Sequence, residues 1–232
     1  MKEKLDYRII RAFPYVVFSL YLIIIVALLL LSFTVLIGSS SERILFLGTR
    51  SGVALTFRVL EYVALVALEL ILYRMMKESG YFAIAYNVLL GYMIADLVYR
   101  VASWICDFYD NTATYIILAF IRLLPETFML FGIYYMIKAF AALYVKMKKK
   151  KIVEDTKRLA TLWISAHSIF IVISIVLLPV LFAAPEAAKK LFLMLYISAT
   201  VYYIVVAVLI YIRTKDFCYD YYMYRYNAKE VE

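Results

Sequence analysis

Six long apolar runs recur along the chain, each followed by a short polar or basic interval. They cover approximately 13–37, 53–76, 81–105, 113–145, 159–184 and 191–212, about two thirds of the residues. Roughly twenty predominantly apolar residues are needed for a helix to cross the hydrocarbon of a bilayer. Lipid offers no hydrogen bonds to the backbone, so an apolar run that enters it must satisfy its amides internally, as a helix does. The pattern therefore predicts an all-α integral membrane protein, a bundle of six transmembrane helices forming one membrane domain over residues 1–232. The first run follows the basic stretch MKEKLDYRIIR but is too long for a secretory leader, and GSSSER has no small-x-small cleavage pattern. It is expected to be a retained helix, with Pro14 at its start, where a missing amide hydrogen costs nothing.

Composition agrees with a lipid environment. Of 232 residues 66% are hydrophobic, and the mean hydropathy of +0.87 is far above that of an ordinary soluble domain. Two cysteines, Cys106 and Cys218, are too few for a disulfide framework or a cysteine-based metal site. The topology below places them on opposite sides of the membrane, so no bridge between them is expected.

The basic residues set the orientation, because Lys and Arg flanking helices are retained on the cytoplasmic side. Lys2, Lys4, Arg8 and Arg11 precede the first run, and Arg74 and Lys77 separate the second from the third. Lys146, Lys148, Lys149, Lys150, Lys151, Lys157 and Arg158 separate the fourth from the fifth, and Arg213, Lys215, Arg225 and Lys229 follow the sixth. The other face would carry only Arg43, Arg50, Lys189 and Lys190, and the loop CDFYDNTAT has no basic residue. Seventeen basic residues against four predict that both the N and C termini are cytoplasmic. The cluster from Lys146 to Arg158 is read as a topology anchor facing anionic lipids of the cytoplasmic leaflet, in the cytoplasmic (plasma) membrane. Residues 213–232 are read as a cytoplasmic Tyr-rich tail that continues the last helix and then lies along the headgroups.

Charges inside the runs carry the candidate chemistry. A charged side chain at a helix centre costs about 2.5–3.5 kcal/mol on insertion scales, so such groups face the bundle interior or a water-filled cavity. The second run holds Arg58, Glu61 and Glu69, the third Asp96 and Arg100, and the fourth Arg122, Glu126 and Lys138. His167, the only histidine, lies in the fifth. At about 100° per residue each set forms one seam on its helix. Counted from the outer ends, Arg58, Glu61, Asp96, Arg100, Arg122 and Glu126 fall in the outer half or near the midplane, three cations and three anions that form the candidate ligand or ion site. Glu69, Lys138 and His167 fall nearer the inner side as a secondary polar group. Pro125 frees the carbonyl of Ile121 beside Arg122 and Glu126, which is consistent with a cavity there.

The inventory excludes much else. One histidine cannot supply HExxH or paired Glu-x-x-His sites, and no GxGxxG, Walker or GxSxG pattern occurs. No metal site, cofactor or catalytic residue set is expected, and nothing resembles a nucleic-acid module. The sequence thus predicts a multi-pass protein that binds or translocates a small polar solute or ion through a charge-paired cavity, with the bilayer as its partner. The rival reading is a non-transporting sensor or accessory subunit, whose embedded charges join helices and whose basic loop and tail contact a membrane or cytoplasmic protein. An intramembrane acid–base enzyme using Glu61, Asp96 or Glu126 is the third reading; the balance is against an enzyme.

Overall fold

The computed structural model describes residues 2–37, 52–106 and 112–229, and all of its regular structure is helical. We number the helices α1 (Lys2–Ile37), α2 (Gly52–Met75), α3 (Gly80–Cys106), α4 (Thr112–Lys146), α5 (Lys150–Ala183) and α6 (Pro185–Lys229). The basic positions Arg43 and Arg50, the GSSSER exit of the first run and most of CDFYDNTAT lie outside the described residues.

Each helix packs on its neighbours in the chain, and α6 closes back on α1, so the six form a ring in sequence order. Short connections fit this order, since antiparallel neighbours need little chain between them. The α2–α3 turn occupies 76–79 and the α4–α5 turn 147–149. The latter ends α4 in a Schellman motif. Lys149 N–H donates to the Tyr144 carbonyl and Lys148 N–H to that of Val145, both at 3.0 Å, with Lys148 at the left-handed position, φ 59°.

Burial is the reverse of that in a soluble protein. On α2, Glu61 and Glu69 are 6% and 7% exposed, whereas Val63 and Leu70 are 62% and 63% exposed. On α3 the buried Asp96 sits between Ile94 and Leu97, both exposed. A helix that points carboxylates inward and branched aliphatics outward has an apolar surround. Among the described residues five helices are long and apolar enough to cross a membrane. α2 is the exception to the expected six: its 24 residues carry Arg58, Glu61, Glu69 and Arg74, more charge than the other five spans carry in their apolar stretches, although it occupies its place in the ring. The molecule has the helical architecture of a multi-pass membrane protein.

Two other expectations change. Pro14 lies inside α1, which begins at Lys2 rather than near residue 13. The tail does extend the last helix, to Lys229, but it does not lie apart from the bundle: Phe217 and Tyr221 are buried. Phe217 stacks on Phe140 with centroids 4.4 Å apart, and Phe13 and Phe82 meet Phe140 edge-on at 5.6 and 5.9 Å. Side chains from α1, α3, α4 and α6 thus plug the ring at the end where the two turns lie. Farther in, Tyr21, Trp163 and Tyr203 form a second aromatic layer.

Candidate functional site

The charged seams sit beyond these two layers, toward the end where α2 begins and α3 finishes. Arg58 and Glu61 are three apart on α2 and share a face. Arg58 Nη1 donates to Glu61 Oε2 at 2.7 Å. Asp96 and Arg100 are four apart on α3, and Arg100 grips Asp96 through Nε at 2.7 Å and Nη2 at 3.3 Å. Both ion pairs are therefore internal to one helix.

Tyrosines make the joints between helices. Tyr62 on α2 donates its hydroxyl to Asp96 Oδ2 on α3 at 2.7 Å. Tyr92 on α3 donates to Glu61 Oε1 on α2. Each carboxylate binds the guanidinium of its own helix and the phenol of the other, a reciprocal clasp. Both carboxyl side chains are only 7% exposed, so these partners replace the water that burial removes.

Arg122 on α4 completes the network differently. Its guanidinium lies within electrostatic reach of Glu126 and Arg58 and of the phenols of Tyr99 and Tyr196. Both tyrosines are buried. Among the described residues it has no carboxylate within 4 Å, Glu126 included, although Glu126 is one turn away on the same helix. Glu126 instead approaches α5, with Oε2 3.9 Å from Nε2 of His167. The other ring nitrogen of His167, Nδ1, shares a hydrogen bond with the Tyr203 hydroxyl of α6 at 3.1 Å. Trp163 covers the imidazole at 4.8 Å and donates Nε1–H to the Leu130 carbonyl of α4 at 2.8 Å.

The six outer charges thus lie on three consecutive helices as one electrostatic group. The secondary group does not assemble. His167 joins Glu126 rather than Glu69 or Lys138. Lys138 Nζ sits over the rings of Tyr134 at 4.7 Å and Tyr81 at 5.9 Å. Glu69 is buried with neither carboxyl oxygen bonded to a described residue.

Sequence reasoning missed Tyr62, Tyr92, Tyr196 and Tyr203, because twenty-three tyrosines make any one of them unremarkable. One signal was present: Tyr92, Asp96 and Tyr99 stand at i, i+4 and i+7, one face of α3. Among the described residues no three of His, Cys, Asp and Glu are grouped as metal ligands. Compared with protein-family models, curated proteins and solved structures, the chain matches none.

Proposed function

We propose that this protein spans the bilayer six times with both termini cytoplasmic and binds or translocates a small polar solute or ion at the Arg58–Arg122 network. The observation that carries the reading is the uneven neutralisation of the charges. Glu61 and Asp96 are each held by an arginine and a tyrosine, whereas among the described residues Arg122 has no carboxylate in contact. A partly buried guanidinium in an apolar surround calls for an anionic partner, and its planar fork suits carboxylate or phosphate oxygens. The solute accordingly carries an anionic group that docks on Arg122 beside Tyr99 and Tyr196, with Glu126 and His167 beneath it.

Layering supports a site open toward one side. The Phe13–Phe82–Phe140–Phe217 plug closes the other end. That closed end gathers the segments richest in Lys and Arg: Lys146 Nζ donates to the Glu78 carbonyl at 2.8 Å, Lys149 pairs with Asp220, and Arg225 with Glu78. By the distribution of positive charge it is the cytoplasmic end, in the plasma membrane, and the site faces outward. The remaining basic residues of the 146–158 segment face anionic headgroups.

The test is uptake or binding across a panel of small carboxylates, phosphates and zwitterions in proteoliposomes, with Arg122→Gln and Asp96→Asn compared with wild type. Loss of the response in folded Arg122→Gln protein is the expected result. Wild-type activity in both variants defeats the site. The accessory-subunit reading has one observation in its favour: the Tyr62 and Tyr92 clasp joins α2 to α3 and would do so without a ligand. It predicts that both variants change thermal stability alone, and that crosslinks from 146–158 capture one protein.

A further inference from the structure

A second, separate feature lies on the flank of the bundle near its basic end. A cleft of about 420 Å³ runs between α4 and α5 and is lined by Tyr81, Tyr134, Lys138, Ala142, Lys157 and Thr161, among others. Its volume is in the range of small-ligand sites. Two lysines stand on its facing walls. Lys138 is eight residues before the end of α4, about 12 Å into the bundle from the turn, and Lys157 is seven residues into α5, about 10 Å in. Among the described residues neither has a carboxylate within 4 Å.

The Lys138 ammonium is held over the faces of Tyr134 and Tyr81. Such a contact is attractive but leaves the charge uncompensated. The rest of the lining is short and apolar, with Ala141, Ala142, Ala160 and Val145 forming a shallow floor between the helices. Two cations with no carboxylate partner among the described residues, over an alkyl-sized furrow about two helical turns in from the basic end, match one kind of molecule, an anion with a hydrocarbon tail.

We propose that this cleft is a specific site for an anionic phospholipid of the adjacent leaflet, its phosphate between Lys138 and Lys157 and the start of one acyl chain along the alanine floor. Tyr134 and Tyr81 fix the Lys138 ammonium toward the phosphate. This differs from diffuse attraction of the 146–158 segment to a charged surface, because it requires one lipid per chain and two named lysines. It rests on the membrane reading above but not on the solute site, whose residues it does not share.

The experiment is native mass spectrometry of the full chain in detergent, titrated with phosphatidylglycerol, with phosphatidylcholine, and with inorganic phosphate. One retained phosphatidylglycerol per chain, in preference to phosphatidylcholine, is expected. Lys138→Met and Lys157→Gln should each weaken retention roughly fivefold, the value of one basic group near a charged surface. Ala142→Leu, which fills the cleft and leaves both charges, should weaken it too, so the test survives misfolding of either lysine variant. Lys150→Gln and Lys151→Gln should leave it unchanged. Equal retention of phosphatidylcholine, equal loss in the Lys150 and Lys151 variants, or displacement by millimolar phosphate would each overturn the proposal. Failure of the solute reading would appear in the Arg122 and Asp96 variants, which leave this cleft intact.

Discussion

Removing the hydroxyl of Tyr92 or Tyr62 tests whether the clasp joins α2 to α3 as the geometry says. In Tyr92→Phe, Glu61 Oε1 loses its phenol donor while Oε2 keeps Arg58. In Tyr62→Phe, Asp96 Oδ2 loses one donor but keeps Arg100 Nε. A hydrogen bond to a charged group contributes about 1.5–3 kcal/mol in soluble proteins, whereas side-chain bonds between membrane helices average about 0.6 and reach about 1.7. The carboxyl groups here are buried and each is also gripped by an arginine, so the upper part of the membrane range applies. We expect about 1–1.7 kcal/mol for Tyr92→Phe and about 0.5–1 kcal/mol for Tyr62→Phe, whose acceptor oxygen remains bonded. Both bonds close the same interface, so the double variant should cost less than the two single costs together, by about 0.5 kcal/mol or more. The assay is reversible unfolding in mixed micelles followed by circular dichroism, with the exposed Tyr15→Phe as control. If both single variants lie within about 0.3 kcal/mol of that control, inside the ordinary error of additivity, the clasp does not hold the helices.

Other outcomes follow from local geometry. Lys148→Gly should stabilise by about 1 kcal/mol, because Lys148 occupies a left-handed position that glycine adopts without a Cβ penalty; denaturant midpoints read this directly. At Gly132 a Cβ would lie 2.5 Å from Cδ2 and 2.6 Å from Cγ of Leu89, which is fully buried. Gly132→Ala should therefore lower stability, the overpacking cost of about 1–3 kcal/mol exceeding the helix-propensity gain of about 1. Gly91→Ala meets the ring edge of Phe128 at 2.9 Å, an exposed side chain that can swing aside, and should be neutral or stabilising in the same assay. Glu69→Met should raise the thermal midpoint, because it removes a buried carboxyl with no described partner and keeps most of its volume. A fall in midpoint would mean that Glu69 has a partner that matters.

The helices were legible because hydrocarbon imposes a length and an apolarity that few other structures need. The ends were less so. α1 starts at Lys2 because its charged first turns are helical outside the apolar run, which hydropathy does not register, and for the same reason the run ending near 212 gave no sign that Phe217 and Tyr221 enter the core. The outer charges could be grouped from periodicity, since Arg58 and Glu61, Asp96 and Arg100 repeat at three and four. Their pairing could not. Spacing alone gives Arg122 and Glu126 the same relation as Asp96 and Arg100, yet Glu126 turns to His167 because the next helix in the ring presents an imidazole at its level. Depth arithmetic assigned His167 to the wrong neighbours for the same reason: it fixes height along the bundle and says nothing of which side of a helix a partner occupies.

Water access to Arg122 bears most directly on the claim that this network is a solute site. Arg122→Cys, in a background with Cys106→Ala and Cys218→Ala, should react with a membrane-impermeant thiol reagent added from the outer face. Glu126→Cys should label as well, and there the anionic form of the reagent should react faster, since Arg122 is left unopposed while Arg58 and Arg100 keep Glu61 and Asp96; at Arg122→Cys, which leaves Glu126, the cationic form should be the faster. Failure of both cysteines to label in folded protein, while an exposed outer-end control such as Trp104→Cys labels fully, would contradict the account and leave the network a closed polar core.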